Sequence, residues 1–121
     1  MTASDRLNIG VIGCGHWGPN HVRVFSQLRN CSVVSIADPD EERLRAICDR
    51  FPDLRAETDY RALLEDSRLD AVVIATPTSL HGRIAARALE LHKHVLCEKR
   101  SASMRLRGPP LSGSRAGIIW H

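Results

Sequence analysis

Apolar positions fall in short runs separated by stretches with a three- to four-residue beat, and the two periods alternate along the chain. Residues 7–12 (Leu-Asn-Ile-Gly-Val-Ile) form an apolar run ending at Gly13-Cys14-Gly15, the pattern of a buried strand entering a tight turn. Residues 17–28 place Trp17, Val22, Val24, Phe25 and Leu28 on a helical stripe, with Pro19 in the opening turn, where its missing N–H is harmless. Residues 32–37 (Ser-Val-Val-Ser-Ile-Ala) are β-branched and predict a second strand, broken by Asp38-Pro39-Asp40. A second helix over 41–51 carries Leu44, Ile47, Cys48 and Phe51 on one side. It opens on acids that suit the helix dipole and stops at Pro52. Residues 54–58 predict a short third strand, and Asp59 caps a brief helix with Tyr60, Leu63 and Leu64. Residues 71–75 (Ala-Val-Val-Ile-Ala) are the clearest buried strand. Ser79 is the expected cap of a helix carrying Ile84, Ala85, Ala88 and Leu89, and Val95-Leu96-Cys97 predicts a fifth strand.

Strands alternating with helices at this rhythm predict βαβ units, and so an α/β fold with a parallel sheet and helices on both faces. Right-handed crossovers give the strand order 3-2-1-4-5, a Rossmann-type sheet. From Ser101 onward the chain mixes Arg, Gly, Ser and Pro and shows neither period. The expected organisation is one nucleotide-binding unit over 1–99 and an irregular, disordered tail over 100–121.

Size and charge narrow the function. At 121 residues the chain fits one domain. No apolar run approaches the roughly 18–20 residues that cross a bilayer, and the N-terminus lacks the features of a secretion signal. A cytoplasmic location without membrane contact is expected. The net charge is +3, but residues 1–99 hold 13 Lys or Arg against 14 acids, while 100–121 hold four Arg and no acid. The basic sign belongs to the tail, and the body gives no reason to expect a nucleic-acid partner. Cys14, Cys31, Cys48 and Cys97 lie too far apart for a zinc-type pair. Cys31, Cys48 and Cys97 read as small core residues, and no metal site is expected.

Gly13-Cys14-Gly15-His16-Trp17-Gly18 matches G-x-G-x-x-G between a predicted strand and a predicted helix. Gly13 would make the tight turn, Gly15 would admit a pyrophosphate against the backbone, and Gly18 would let helix and strand pack closely. The free N–H groups at the helix start then favour a phosphate anion. Asp38 stands twenty residues after Gly18, at the end of the second strand. A carboxylate there accepts hydrogen bonds from an adenosine ribose and repels a 2′-phosphate. Asp40, Glu41 and Glu42 add negative charge, softened by Arg43, so the balance favours NAD over NADP. His16 and Trp17 complete the turn; taken alone, Trp17 reads as a packing residue and His16 as a solvent-facing one.

Three segments together resemble the glucose–fructose oxidoreductase, inositol dehydrogenase and rhizopine-catabolism (Gfo/Idh/MocA) family over about residues 7–99. They are the turn at 13–18 with its Trp-Gly ending, Ala75-Thr76-Pro77-Thr78 followed by His81, and Lys93-His94-Val95-Leu96-Cys97-Glu98-Lys99. The last is similar to the family's G-K-H-V-x-x-E-K-P signature. The resemblance implies a nicotinamide enzyme acting on a hydroxyl or carbonyl of a sugar, polyol or related small molecule. It also implies that Lys99 faces nicotinamide and substrate and assists proton transfer, beside Glu98. Thr76, Pro77 and His81 would line the cofactor crevice, although His81 reads equally well as a helix-start histidine tied to backbone. Homo-oligomers are expected only of the complete enzyme.

The chain also departs from the family. His92 replaces the glycine before Lys-His-Val, where a left-handed residue ends the helix; histidine adopts that conformation at about 1 kcal/mol. Arg100 replaces the signature proline, and the family's following helix, strand and substrate-binding sheet domain find no counterpart. One cytosine lost after the Lys99 codon would explain both, since the restored frame permits Pro-Leu-x-Ile-Asp-Ala-x-Glu; the DNA sequence tests this. The chain alone is therefore expected to lack turnover. The rival readings are a non-catalytic NAD-binding module and a methyltransferase using S-adenosylmethionine, for which Glu98-Lys99 has no task.

Overall fold

The computed structural model describes residues 6–13, 18–28, 30–76, 78–98 and 104–107. In chain order the elements are β1 (Leu7–Ile12), α1 (Gly18–Ser26), β2 (Cys31–Ala37), α2 (Glu41–Arg50) and β3 (Arg55–Glu57). Then follow α3 (Tyr60–Leu64), β4 (Ala71–Ile74), α4 (Thr78–Glu90), β5 (His94–Glu98) and β6 (Met104–Arg107). The strands form one sheet in the order β3-β2-β1-β4-β5-β6. The first five are parallel, in the 3-2-1-4-5 order expected from the sequence.

The sheet is a sandwich filling because its central strands are apolar on both sides. Leu7, Ile9, Val11, Ile36, Ala71, Val73 and Leu96 pack with Val22 and Phe25 of α1 and Leu44 and Ile47 of α2. Ile12, Ala37, Val72, Ile74 and Val95 pack on the opposite face with Leu63 and Leu64 of α3 and Ile84, Ala85 and Ala88 of α4. Period-2 alternation thus sends neighbouring residues to different helix layers. Gly10 makes room for the second layer: a Cβ there would stand 2.8 Å from Leu63 Cδ2 and 3.2 Å from Leu69 Cδ1. Between Ile9 and Gly10 the pairing skips Val34 of β2, a one-residue bulge. Cys31 is buried in the first layer, which pushes its thiol up to about 11 and keeps it inert. Cys48 is half-buried against the same layer.

Local signals set the helix ends. Asp40 caps α2 by accepting the amides of Glu42 and Arg43 at 2.9 and 3.3 Å, and Asp59 caps α3 through Arg61 at 2.9 Å. Ser79, expected as the cap of α4, instead lies inside it, because the helix opens one residue earlier at Thr78. At its far end His92 has φ of +61°. The Lys93 amide donates to Ala88 O at 2.9 Å and the His92 amide to Leu89 O at 3.0 Å, the paired bonds of a Schellman motif. His92→Gly is expected to raise stability by about 1 kcal/mol, read as a higher urea midpoint at unchanged slope.

Residues 104–107 depart from the irregular tail expected after Ser101. They pair antiparallel with β5, Val95 opposite Arg107 and Glu98 opposite Met104. The outer edge of β5 presents unmet backbone donors and acceptors, and Met-Arg-Leu-Arg is a brief apolar–charged alternation that suits pairing.

Candidate cofactor site

All five parallel strands point their carboxyl ends the same way. Between β1 and β4 the order reverses, because the chain leaves β1 toward β2 whereas β4 lies on its other side. That reversal opens a crevice at the strand ends. Its floor is laced by main-chain bonds that run past the strands. Gly13 N–H donates to Ala37 O at 2.8 Å, Ala75 N–H to Ile12 O at 2.8 Å, and Asp38 N–H to Glu57 O at 3.1 Å.

Gly13 is the residue this geometry constrains most. Its φ is +94°, and a Cβ would stand 2.8 Å from both the Ala75 carbonyl carbon and the Thr76 amide nitrogen. Thr76 Cγ2 would be 2.9 Å away. The chain can turn out of β1 against the end of β4 only without a side chain, which is the tight turn expected of the motif's first glycine. Gly18 opens α1, whose first turn carries no acid to oppose an anion. Gly15, His16, Trp17 and Pro77 lie outside the described residues.

Asp38 sits at the end of β2 and is 5% exposed. Its Oδ1 accepts the Asp40 amide at 2.7 Å, so the turn through Pro39 fixes the carboxyl group. Asp40 caps α2 and meets Arg43 at 3.5 Å, the softening contact anticipated from the sequence. On the β4 side, Thr76 is half-buried. Its Oγ1 is buried with no hydrogen-bond partner among the described residues. His81 Nε2–H donates to the Thr76 carbonyl at 2.6 Å, the backbone tie foreseen as one alternative.

Glu98 ends β5. Continuing the register Ile74–Cys97 sets its backbone level with Ala75, at the crevice end of the sheet. Lys99 follows it and lies outside the described residues. The backbone thus gathers Gly13, Asp38, Thr76 and Glu98 at one end. A glycine cradle that a Cβ would fill, an unopposed helix start and an oriented strand-end carboxylate together fit a dinucleotide.

One residue of the 93–99 segment has a role its sequence hid. Lys93 is 6% exposed at the opposite end of the sheet. Its Nζ donates to Asp66 O and Leu69 O, both at 2.8 Å, tying the start of β5 to the turn between α3 and β4. Burial pushes its ammonium below the ordinary 10.5, while Asp66 and Asp70 act in the other direction. A lysine ordinarily signals a solvated surface, so the sequence carried no sign of this.

The profile of an oxidoreductase family, NAD-binding Rossmann fold (GFO_IDH_MocA), matches residues 7–102. An inositol 2-dehydrogenase of Acidothermus cellulolyticus is 37% identical over 119 residues, covering 97% of this chain and 32% of that protein. An uncharacterized oxidoreductase, YrbE of Bacillus subtilis, is 34% identical over 96 residues, 79% of this chain and 28% of its own. An NAD-binding protein of Listeria innocua superposes with a TM-score of 0.73 at 36% identity, over 78% of this chain and 28% of its own. The chain thus spans about a third or less of the relatives it matches. Among the described residues no helix is long and apolar enough to cross a membrane. The chain belongs to the Gfo/Idh/MocA oxidoreductase family, and what it holds of that family is the NAD-binding Rossmann domain.

Proposed function

We propose that this chain is the cofactor-holding part of a nicotinamide-dependent oxidoreductase whose substrate is a sugar, polyol or related hydroxyl or carbonyl compound. Gly13, Gly15, His16, Trp17 and Gly18 would hold the diphosphate of NAD through their main-chain amides. Asp38 holds the adenosine ribose, and Thr76 and Pro77 form the wall toward the nicotinamide. The observation that carries this reading is the fit of Gly13 between the ends of β2 and β4, with Asp38 oriented one strand away. The substrate class rests on the inositol dehydrogenases among the relatives.

The chemistry that a bound nicotinamide would supply there is hydride transfer. Lys99, the residue after Glu98 in the sequence, would stabilise developing alkoxide charge and pass the hydroxyl proton. The acids at 38, 40, 41 and 42 set a preference for NAD, with NADP the weaker ligand.

Titrating NAD into the 121-residue chain and its Asp38→Ala variant tests the reading. Loss of a charge-assisted pair to the ribose is expected to weaken NAD by about 10- to 100-fold and to narrow the NAD/NADP ratio. Equal NAD affinity in the two proteins would show that the ribose lies elsewhere.

A further inference from the structure

We propose that His81 is a positioning residue of the dinucleotide site, holding the Thr76 wall against Gly13 rather than touching the cofactor. The inference rests on the site proposed above and gives one of its residues a different task.

His81 lies in the opening turn of α4 and is half-buried. Its single described polar contact is Nε2–H donating to Thr76 O at 2.6 Å. Thr76 precedes α4, so its carbonyl lies outside the ladder of i to i+4 bonds within that helix. The imidazole supplies the donor it would otherwise find in water. The bond ties the first turn of the helix to the end of β4 across five residues of chain.

What it holds is the surface that meets Gly13. The Thr76 amide nitrogen and Cγ2 are the atoms 2.8 and 2.9 Å from the missing Gly13 Cβ. The same residue carries Oγ1, buried and unpartnered among the described residues. If Thr76 swings outward, the crevice widens and that hydroxyl turns away from whatever occupies it. His81 therefore sets the width of the site on its β4 side. The contact requires a proton on Nε2, because a carbonyl oxygen can only accept.

The test compares the 121-residue chain with His81→Ala and His81→Gln. NAD titration, urea unfolding and the ring 15N shifts of His81 are measured. His81→Ala is expected to bind NAD about tenfold more weakly, the equivalent of one hydrogen bond. Its unfolding midpoint should move little, and glutamine, whose amide reaches a similar position, should restore most of the affinity. The 15N shifts should show a protonated Nε2. Unchanged affinity in His81→Ala, an Nε2 without a proton, or weakened binding that glutamine fails to rescue would each overturn the proposal. A wild-type chain that ignores NAD would overturn the function proposed above and this inference with it. Tight wild-type binding that His81→Ala leaves intact overturns this inference alone.

Discussion

Gly13→Ala is expected to lose about 3 kcal/mol of stability and to abolish measurable NAD binding. Two independent effects combine. A φ of +94° is a conformation that side chains rarely adopt, which alone adds about 1–2 kcal/mol. The new methyl also meets main-chain atoms at 2.8 Å, and neither the Ala75 carbonyl carbon nor the Thr76 amide can retreat like the end of a flexible side chain. Ala75 is pinned by its bond to Ile12 O, and Gly13 by its bond to Ala37 O. Relief must come from parting β1 from β4 at the crevice, so stability and binding fall together. Against the 5–15 kcal/mol typical of a domain this is a large fraction. Gly82→Ala is the comparison. Nothing lies within 4 Å of its Cβ position, in the middle of α4, and alanine there should stabilise by about 0.5–1 kcal/mol. Urea unfolding and NAD titration of both variants decide the matter. Wild-type behaviour of Gly13→Ala in both would remove the steric basis of the turn.

Lys93→Met should destabilise by about 2–3 kcal/mol while leaving NAD affinity per folded molecule nearly unchanged. Methionine keeps much of the apolar stem but strips the donors from Asp66 O and Leu69 O. The variant no longer buries an ammonium, and that relief offsets part of the loss. pH separates the two contributions. The unfolded lysine keeps its proton to about 10.5, whereas the buried one releases it at lower pH. Between those values the unfolded chain holds the extra proton, so wild-type stability rises with pH there. Lys93→Met should lack that rise, and amide exchange should quicken over 66–70. A variant as stable as wild type at pH 7 would mean water replaces the ammonium readily.

The contrast between these two residues shows what a linear sequence reveals. Gly13 was legible because chirality acts locally: a glycine between a strand and a helix, with Asp38 at the next strand end, carries its geometry in its neighbours. The five parallel strands were legible for the same reason, since period and β-branching need no distant partner; the observed β3 falls inside the expected 54–58. His92 in the left-handed cap could likewise be read from its place after a helical stripe. Lys93 was not legible, because its carbonyl partners lie 24 and 27 residues away and only the folded sheet brings them close. β6 escaped because four residues among Gly, Pro and Arg are too few to establish a period, and their partner is a sheet edge. Ser79 shows the limit of cap reading, since the helix opens one residue earlier, at Thr78.

The antiparallel β6 has a bearing on any further growth of the sheet. A sheet edge accepts one neighbour at a time, and the edge of β5 beside Glu98 is already taken by residues 104–107. Any further strand that is to pair with that edge must first evict the resident one, as an invading strand does in exchange reactions. Association would then be slow, governed by the peeling rate of four residues, and insensitive to the concentration of the incomer once that is high.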